Sequence, residues 1–297
     1  MLQLTYAMPC YNHGRFLVEA LNSIKADILS HDLSYEVLVI DDGSLDESVA
    51  VINGWVADNP QINLSLIEQE NHGIAKTVNK LYRKAKGEFV RLCASDDTIF
   101  AGSSKLMMNF ASRSENTQCV FGDGLVVDNE SNQVSESFIS YHGGNPVHLR
   151  NNQHIDRKLI SRWCIAGPCI LVRRSFFENY QYDEASRIDD FDFFLNLFKM
   201  PDSVLYMDEK VCAYRVHGNN TSKVRDVTTR VNNLSSFCYL LEKYCDDSEL
   251  FHLRMSLKAK LFLTRCKIAY LQKRYVQAVA SYVKYTTFSA RASLSGL

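Results

Sequence analysis

The chain has 297 residues, 46% of them apolar, and a formal net charge of −1. Such a chain can bury one large α/β core and still carry an appendage, which excludes a disordered protein. No run approaches the ~20 apolar residues that span a bilayer, and the start MLQLTYAMPCYN lacks a secretory pattern. Nine scattered cysteines, never spaced as CxxC, argue against a disulfide framework or zinc site and for a reducing cytosol.

In chain order, Leu4 to Met8 reads as a short apolar strand with Pro9-Cys10-Tyr11-Asn12-His13-Gly14 as its exit loop. A helix is expected over 15–26, because Phe16, Leu17, Ala20, Leu21 and Ile24 share one face. Tyr35 to Ile40 is a second buried strand ending in Asp41-Asp42-Gly43-Ser44, and Ser44 with Glu47 has the spacing of a capping box for a helix through Trp55. A third strand over 62–67, a turn at Asn71-His72-Gly73-Ile74, a helix over 75–85 and a strand over 89–93 follow. This alternation predicts a mostly parallel sheet flanked by helices. Beyond it, a helix is expected near 104–112, and strands at 118–121 and 125–128 around a turn at Gly122-Asp123-Gly124. Residues 140–152 read as a polar loop, either lying over a site or plain surface. A loop from Trp163 leads into a strand at 169–172 followed by Arg173-Arg174, and two strands are expected at 204–207 and 211–216.

From Lys223 onward the chain reads as helices only, with about 13 Lys and Arg against about 5 Asp and Glu, so this tail is near +8. The shift in composition places a domain boundary near 222, dividing a catalytic domain (1–222) from a helical region (223–297). The basic amphipathic helices suit either an anionic membrane surface or a bundle packed on the catalytic domain or on a second subunit, hence a homo-oligomer. Nucleic acid is not an expected partner, since no recognition module accompanies the charge.

In an open parallel sheet, ligands sit at the carboxyl ends of the strands. The loops there are PCYN, DDGS and CASDD, which would converge on one cleft. Tyr11 can stack on a planar ring, and Asp41 or Asp42 can accept from a base N–H or a ribose hydroxyl. Asp96 and Asp97 repel each other unless a cation intervenes, and Mg2+ or Mn2+ carrying diphosphate oxygens is one resolution; a solvated turn or helix cap is the other. Neither GxGxxG after the first strand nor GxxxxGK[ST] is present, so a nucleotide site here relies on carboxylates and metal.

MPCYN at 8–12, VIDDGSLDES at 39–48, NHGIAKTVN at 71–79, KGEFV at 86–90 and ASDD at 94–97 occur in the order and spacing of a family 2 glycosyltransferase with the GT-A fold, which residues 5–97 resemble. The resemblance implies binding of a nucleotide-diphosphate sugar, most often a UDP-sugar. It places Pro9, Tyr11, Asn12 and Asp42 around the nucleoside and Asp96-Asp97 at the DxD motif, with Asp41, Gly73 and Asn79 also in the donor site. Two departures stand out: Ala94 replaces a frequent additional Asp, and Ala101-Gly102 replace a frequent proline. The metal would then rest on Asp97 with help from elsewhere. Asp189-Asp190, before an apolar face of Phe191, Phe194, Leu195 and Phe198, reads as a helix cap or, by the resemblance, as the family's ED motif with Asp190 as catalytic base. The family also places an RR-x-F turn, here Arg173-Arg174, near the acceptor. His217, in YRVHGNNTS, matches a histidine that ligates the metal or contacts the diphosphate, although a lone His at a strand exit is also a common packed residue.

The expected protein is thus an inverting, Mn2+- or Mg2+-dependent hexosyl- or N-acetylhexosaminyltransferase. It would act on a saccharide or lipid-linked saccharide in bacterial O-antigen or capsule assembly, in the cytoplasm or peripherally on the inner membrane. A sugar nucleotidyltransferase and a non-catalytic nucleotide-sugar binder are the alternatives.

Overall fold

The computed structural model describes residues 2–184, 189–217 and 226–294, and the chain divides into two units. One comprises Met1–Asn152, Cys164–Glu184 and Asp202–His217; the other comprises Gln153–Trp163, Ala185–Pro201 and Gly218–Leu297. The boundary expected at 222 lies outside the described residues, and the helical unit also takes 153–163 and 185–201 from the middle of the chain.

The first unit is built on a 9-stranded sheet of order β3-β2-β1-β4-β8-β6-β9-β5, with β7 paired to β6. The strands are β1 (Leu4–Cys10), β2 (Tyr35–Asp41), β3 (Leu64–Glu68), β4 (Phe89–Leu92), β5 (Thr98–Ile99), β6 (Cys119–Val127), β7 (Gln133–Ser135), β8 (Ile170–Arg173) and β9 (Val204–Arg215). Its helices are α1 (Gly14–Leu29), α2 (Ser48–Asp58), α3 (Ile74–Lys84), α4 (Ser103–Ala111), α5 (Phe138–Tyr141) and α6 (Pro146–Leu149). Strands β1 to β4 pair in parallel, as strand–helix alternation requires; beyond β4 the sheet is mixed. The face of α1 carrying Phe16, Leu17, Ala20, Leu21, Ile24 and Ile28 is buried in the core with Leu4, Tyr6, Met8, Val37 and Val39. Each of the larger side chains among them contributes about 1.5–3 kcal/mol. Because β2 and β4 flank β1 on opposite sides, the loops after β1 and β4 diverge. That point of reversal is where an open sheet offers its crevice.

Four local expectations change. The Ser44/Glu47 capping box does not form: Ser44 donates to Asp41 Oδ2 at 2.6 Å, and α2 starts at Ser48 with Asp46 accepting the Ser48 N–H at 3.0 Å. The same Asp46 accepts the N–H of Gly14 at 2.9 Å, so one carboxylate takes the first backbone N–H of both α1 and α2. Residues 119–127 form a single strand without a turn at 122–124, and 204–215 is likewise one strand. Gly122 is needed for close approach of strands, since a Cβ there would lie 2.6 Å from Val211 Cγ1. The polar stretch 140–152 is partly ordered as α5 and α6, capped by Ser137 and Asn145.

The second unit contains α7 (Ile155–Ser161), α8 (Asp189–Leu197), α9 (Val227–Cys245), α10 (Arg254–Leu271) and α11 (Tyr275–Leu294). Phe191 and Phe194 meet Trp163 edge-on at 5.1 Å each, and Phe191 meets Phe237 at 4.8 Å. Asp192 is buried and accepts the Tyr244 hydroxyl at 2.7 Å. Among the described residues no helix is long and apolar enough to cross a membrane.

Candidate functional site

The pairing of β5 with β9 sets up the site. Thr98 and Ile99 lie opposite Ala213 and Cys212, so the residues just before β5 meet the residues just after them on β9. Asp97 is buried and its Oδ1 accepts the backbone N–H of Arg215 at 2.6 Å. The Arg215 Nε donates to the Asp96 carbonyl at 2.9 Å, and its Nη2 pairs with Glu19 at 2.6 Å. Asp96 instead faces His217, whose Nε2 lies 2.9 Å from Oδ2.

His13, at the start of α1, comes to the same place from the exit of β1. Its Nδ1 lies 2.8 Å from Ser95 Oγ and 3.9 Å from Asp96 Oδ1, and the two imidazoles meet edge-on at 5.7 Å. Phe16 packs beneath His217 at 5.5 Å. His13, Asp96 and His217 thus offer three ligand atoms within 4.8 Å of one another. One carboxylate oxygen and two imidazole nitrogens fit a divalent transition metal. They suit Mn2+ better than Mg2+, which prefers oxygen ligands.

The electrostatics separate the two adjacent carboxylates. Burial, and then the charge of Asp96 beside it, pushes Asp97 well above the usual carboxylate range. Burial also acts upward on Asp96, but the hydrogen bond from His217 and the nearby His13 outweigh it, so Asp96 lies below that range. Burial lowers His13, and the charge of Asp96 acts in the opposite direction.

The remaining expected residues divide between an open edge and a turn scaffold. Tyr11 is 43% exposed at the end of β1, and Pro9 lies within β1 beside Ile40. Asn12 has φ +54; its Oδ1 accepts the N–H of Leu45 at 2.7 Å, tying the β1 exit to the β2 exit. Asp41 is buried and accepts both the N–H and the hydroxyl of Ser44. Asp42 accepts from Gln69 Nε2 at 2.7 Å and from the N–H groups of His72 and Gly73 at 2.9 Å, which draws the 69–73 turn onto β2. Gly43, at φ +77, is required here: a Cβ would lie 2.8 Å from the Asn71 nitrogen. Asn79 is buried in α3, and its amide makes two hydrogen bonds with the Tyr182 backbone, at 2.8 and 2.9 Å.

Arg173 pairs with Glu88 at 2.6 Å and Arg174 donates to the Gly87 carbonyl at 3.0 Å. The basic pair therefore sits at the amino end of β4, opposite the end from which Asp96 emerges. Asp190 is partly exposed in the first turn of α8, in the other unit. The side chain of Asp189, and residues 218–222 of the YRVHGNNTS segment, lie outside the described residues. Sequence reasoning passed over His13 and Arg215. The only signal for His13 was its place in a strand-exit loop already marked as ligand-facing.

The model of glycosyl transferase family 2 matches residues 5–181. Chondroitin synthase of Escherichia coli is 25% identical over 217 residues, covering 72% of this chain and 29% of that protein. The GalNAc(5)-diNAcBac-PP-undecaprenol beta-1,3-glucosyltransferase of Campylobacter jejuni is 27% identical over 217 residues, 73% of this chain and 65% of that protein. The chain thus spans less than two thirds of either relative. Among solved structures, the mannosyltransferase PcManGT from Pyrobaculum calidifontis, in complex with GDP-Man and Mn2+, superposes with a TM-score of 0.63 at 17% identity, covering 98% of this chain and 80% of that one. Staphylococcus aureus TarS in complex with UDP-GlcNAc gives 0.62 at 13% identity, covering 97% and 92%. At these identities the likeness is one of fold.

Proposed function

The chain belongs to glycosyl transferase family 2, and from that premise we propose that it transfers a hexosyl or N-acetylhexosaminyl group, with inversion, from a nucleotide-diphosphate sugar to a hydroxyl of a saccharide or lipid-linked saccharide. A UDP-sugar is the favoured donor, in line with the UDP-GlcNAc of the TarS complex. A lipid-linked acceptor in bacterial surface polysaccharide assembly accords with the undecaprenol diphosphate named for the Campylobacter relative. The proposed location is the cytoplasm, where nine cysteines that form no disulfide are at ease.

The observation that carries this reading is the convergence of His13, Asp96 and His217 at the reversal point between β1 and β4. These three residues are proposed to hold Mn2+, in place of a site centred on Asp97. A cation bound there supplies Lewis-acid stabilisation of the diphosphate as it departs. Tyr11 stacks on the base, while Asn12 and the turns held by Asp41 and Asp42 shape the nucleoside pocket. Asp190 takes the proton of the acceptor hydroxyl as that oxygen bonds to the anomeric carbon. The bond from that carbon to the diphosphate oxygen breaks on the opposite face, which inverts the centre.

The test is a thermal-shift screen of nucleotide sugars with Mn2+ or with EDTA, followed by a transfer assay on the best ligand. A Tm rise with one donor that requires Mn2+ is the expected result. No shift with any nucleotide sugar would overturn the reading, and pyrophosphate released from NTP plus sugar phosphate would identify a nucleotidyltransferase instead.

A further inference from the structure

The helical unit presents a surface that catalysis does not use. From Leu250 to Leu297 the chain holds nine Lys and Arg and no Asp or Glu. Three of these cations are matched by acids on α9 or in the turn just after it, Arg254 and Lys258 by Asp246 and Arg265 by Glu242. Among the described residues Lys267, Lys273, Arg274, Lys284 and Arg291 form no ion pair, and they lie toward the turn joining α10 to α11 and along α11 itself.

The two helices form a hairpin held by Ala278, which is buried, and by Phe288 stacked on Phe262 at 5.4 Å. Helical spacing puts the opposite side of α11 outward, and that side is apolar rather than charged. Val276 is 85% exposed and Val279 64%, with Val283 and Tyr282 beside them. At the tip, exposed Tyr270 and Tyr275 meet edge-on at 6.0 Å, next to Lys273 and Arg274.

We infer that this hairpin, through Tyr270, Lys273, Arg274, Tyr275, Val276 and Val279, docks on an anionic lipid bilayer. Three features point to that occupant. A valine stripe matches acyl chains and has no counterpart in a phosphate backbone. Tyrosines with an apolar body and a polar tip suit the headgroup depth. The cations without an ion pair complement a negative surface, which anionic headgroups supply and a second copy of this face would not, since it would set like charges against each other. The inference stands apart from the proposed transfer, because it concerns only where the protein resides.

The experiment is flotation of the full 297-residue chain with vesicles of phosphatidylcholine alone or of equimolar phosphatidylcholine and phosphatidylglycerol. It is run at about 0.1 M and about 1 M salt, between which the screening length falls from ~10 to ~3 Å. Binding to the anionic vesicles at low salt, lost at high salt, is expected. K273E/R274E should weaken it about tenfold or more, and V276D/V279D should weaken it while leaving the thermal midpoint unchanged, because both valines are exposed. No binding at low salt, or equal binding by V276D/V279D, overturns the inference. So does a concentration-dependent dimer that V276D/V279D dissolves, which would mean that a second copy covers the face.

Discussion

At the scale of single residues, the decisive fact is that neighbouring carboxylates do different work. Asp97 points inward onto the Arg215 amide, and Asp96 points at two imidazoles. Asp96→Asn is therefore expected to lower the affinity for UDP in the presence of Mn2+ by at least the ~10–100-fold that even an outer partner of a metal costs. Asp97→Asn, whose amide oxygen can still accept from Arg215, should stay within a few-fold, roughly 1 kcal/mol. Isothermal titration of both variants decides between them, and the reverse ranking would return the metal to Asp97. For Asp190, the proposed base, Asp190→Asn should abolish transfer while nucleotide binding persists, and full transfer by that variant would remove it from the mechanism. Most residues expected at the donor site were marked because they stand at strand exits, where ligands of an open sheet sit. His13 could not be singled out, since nothing local distinguishes a histidine that will face Asp96 from one that faces solvent.

At the scale of elements, helix starts and loop contents are linked through Asp46. Burial acts upward on its carboxyl, yet the Ser48 hydroxyl and the N–H groups of Gly14 and Ser48 outweigh it, leaving it below the usual value. The folded-state value being depressed, the stabilisation is complete above the unfolded carboxylate value and is lost as pH falls through the lower, folded one. Asp46→Ala should cost about 1 kcal/mol or somewhat more at neutral pH. The deficit should shrink as pH falls through the folded value, and urea titrations at neutral and acid pH measure it. An undiminished deficit at low pH would mean that the carboxylate charge is not what holds the two helices. The sequence placed a cap near this point but chose Ser44, because spacing alone does not reveal that Asp41 engages that hydroxyl. Likewise, Gly122-Asp123-Gly124 has turn composition, but the glycines serve the close packing of β6 against β9.

At the scale of the whole molecule, a sheet-based unit carries the His13–Asp96–His217 cluster and a helical unit carries the basic hairpin. Mn2+ with UDP should raise the thermal midpoint and EDTA should reverse the rise; at saturation about a hundredfold above Kd, the gain is ~2.7 kcal/mol. The Ala substitution of His217 should abolish the Mn2+-dependent part, and an unchanged Mn2+ response would take His217 out of the metal site. The sequence by itself determined the strands and helices as far as β4, the parallel half of the sheet and the chemical content of its exit loops. Apolar periodicity and turn residues are local, and strand–helix alternation leaves few topologies. Only the tertiary structure decided which of two adjacent aspartates faces outward, and that His13 and His217 join it. That outcome depends on the pairing of β5 with β9, which brings Asp96 within 2.9 Å of a side chain 121 residues away, and no short-range pattern encodes such a contact.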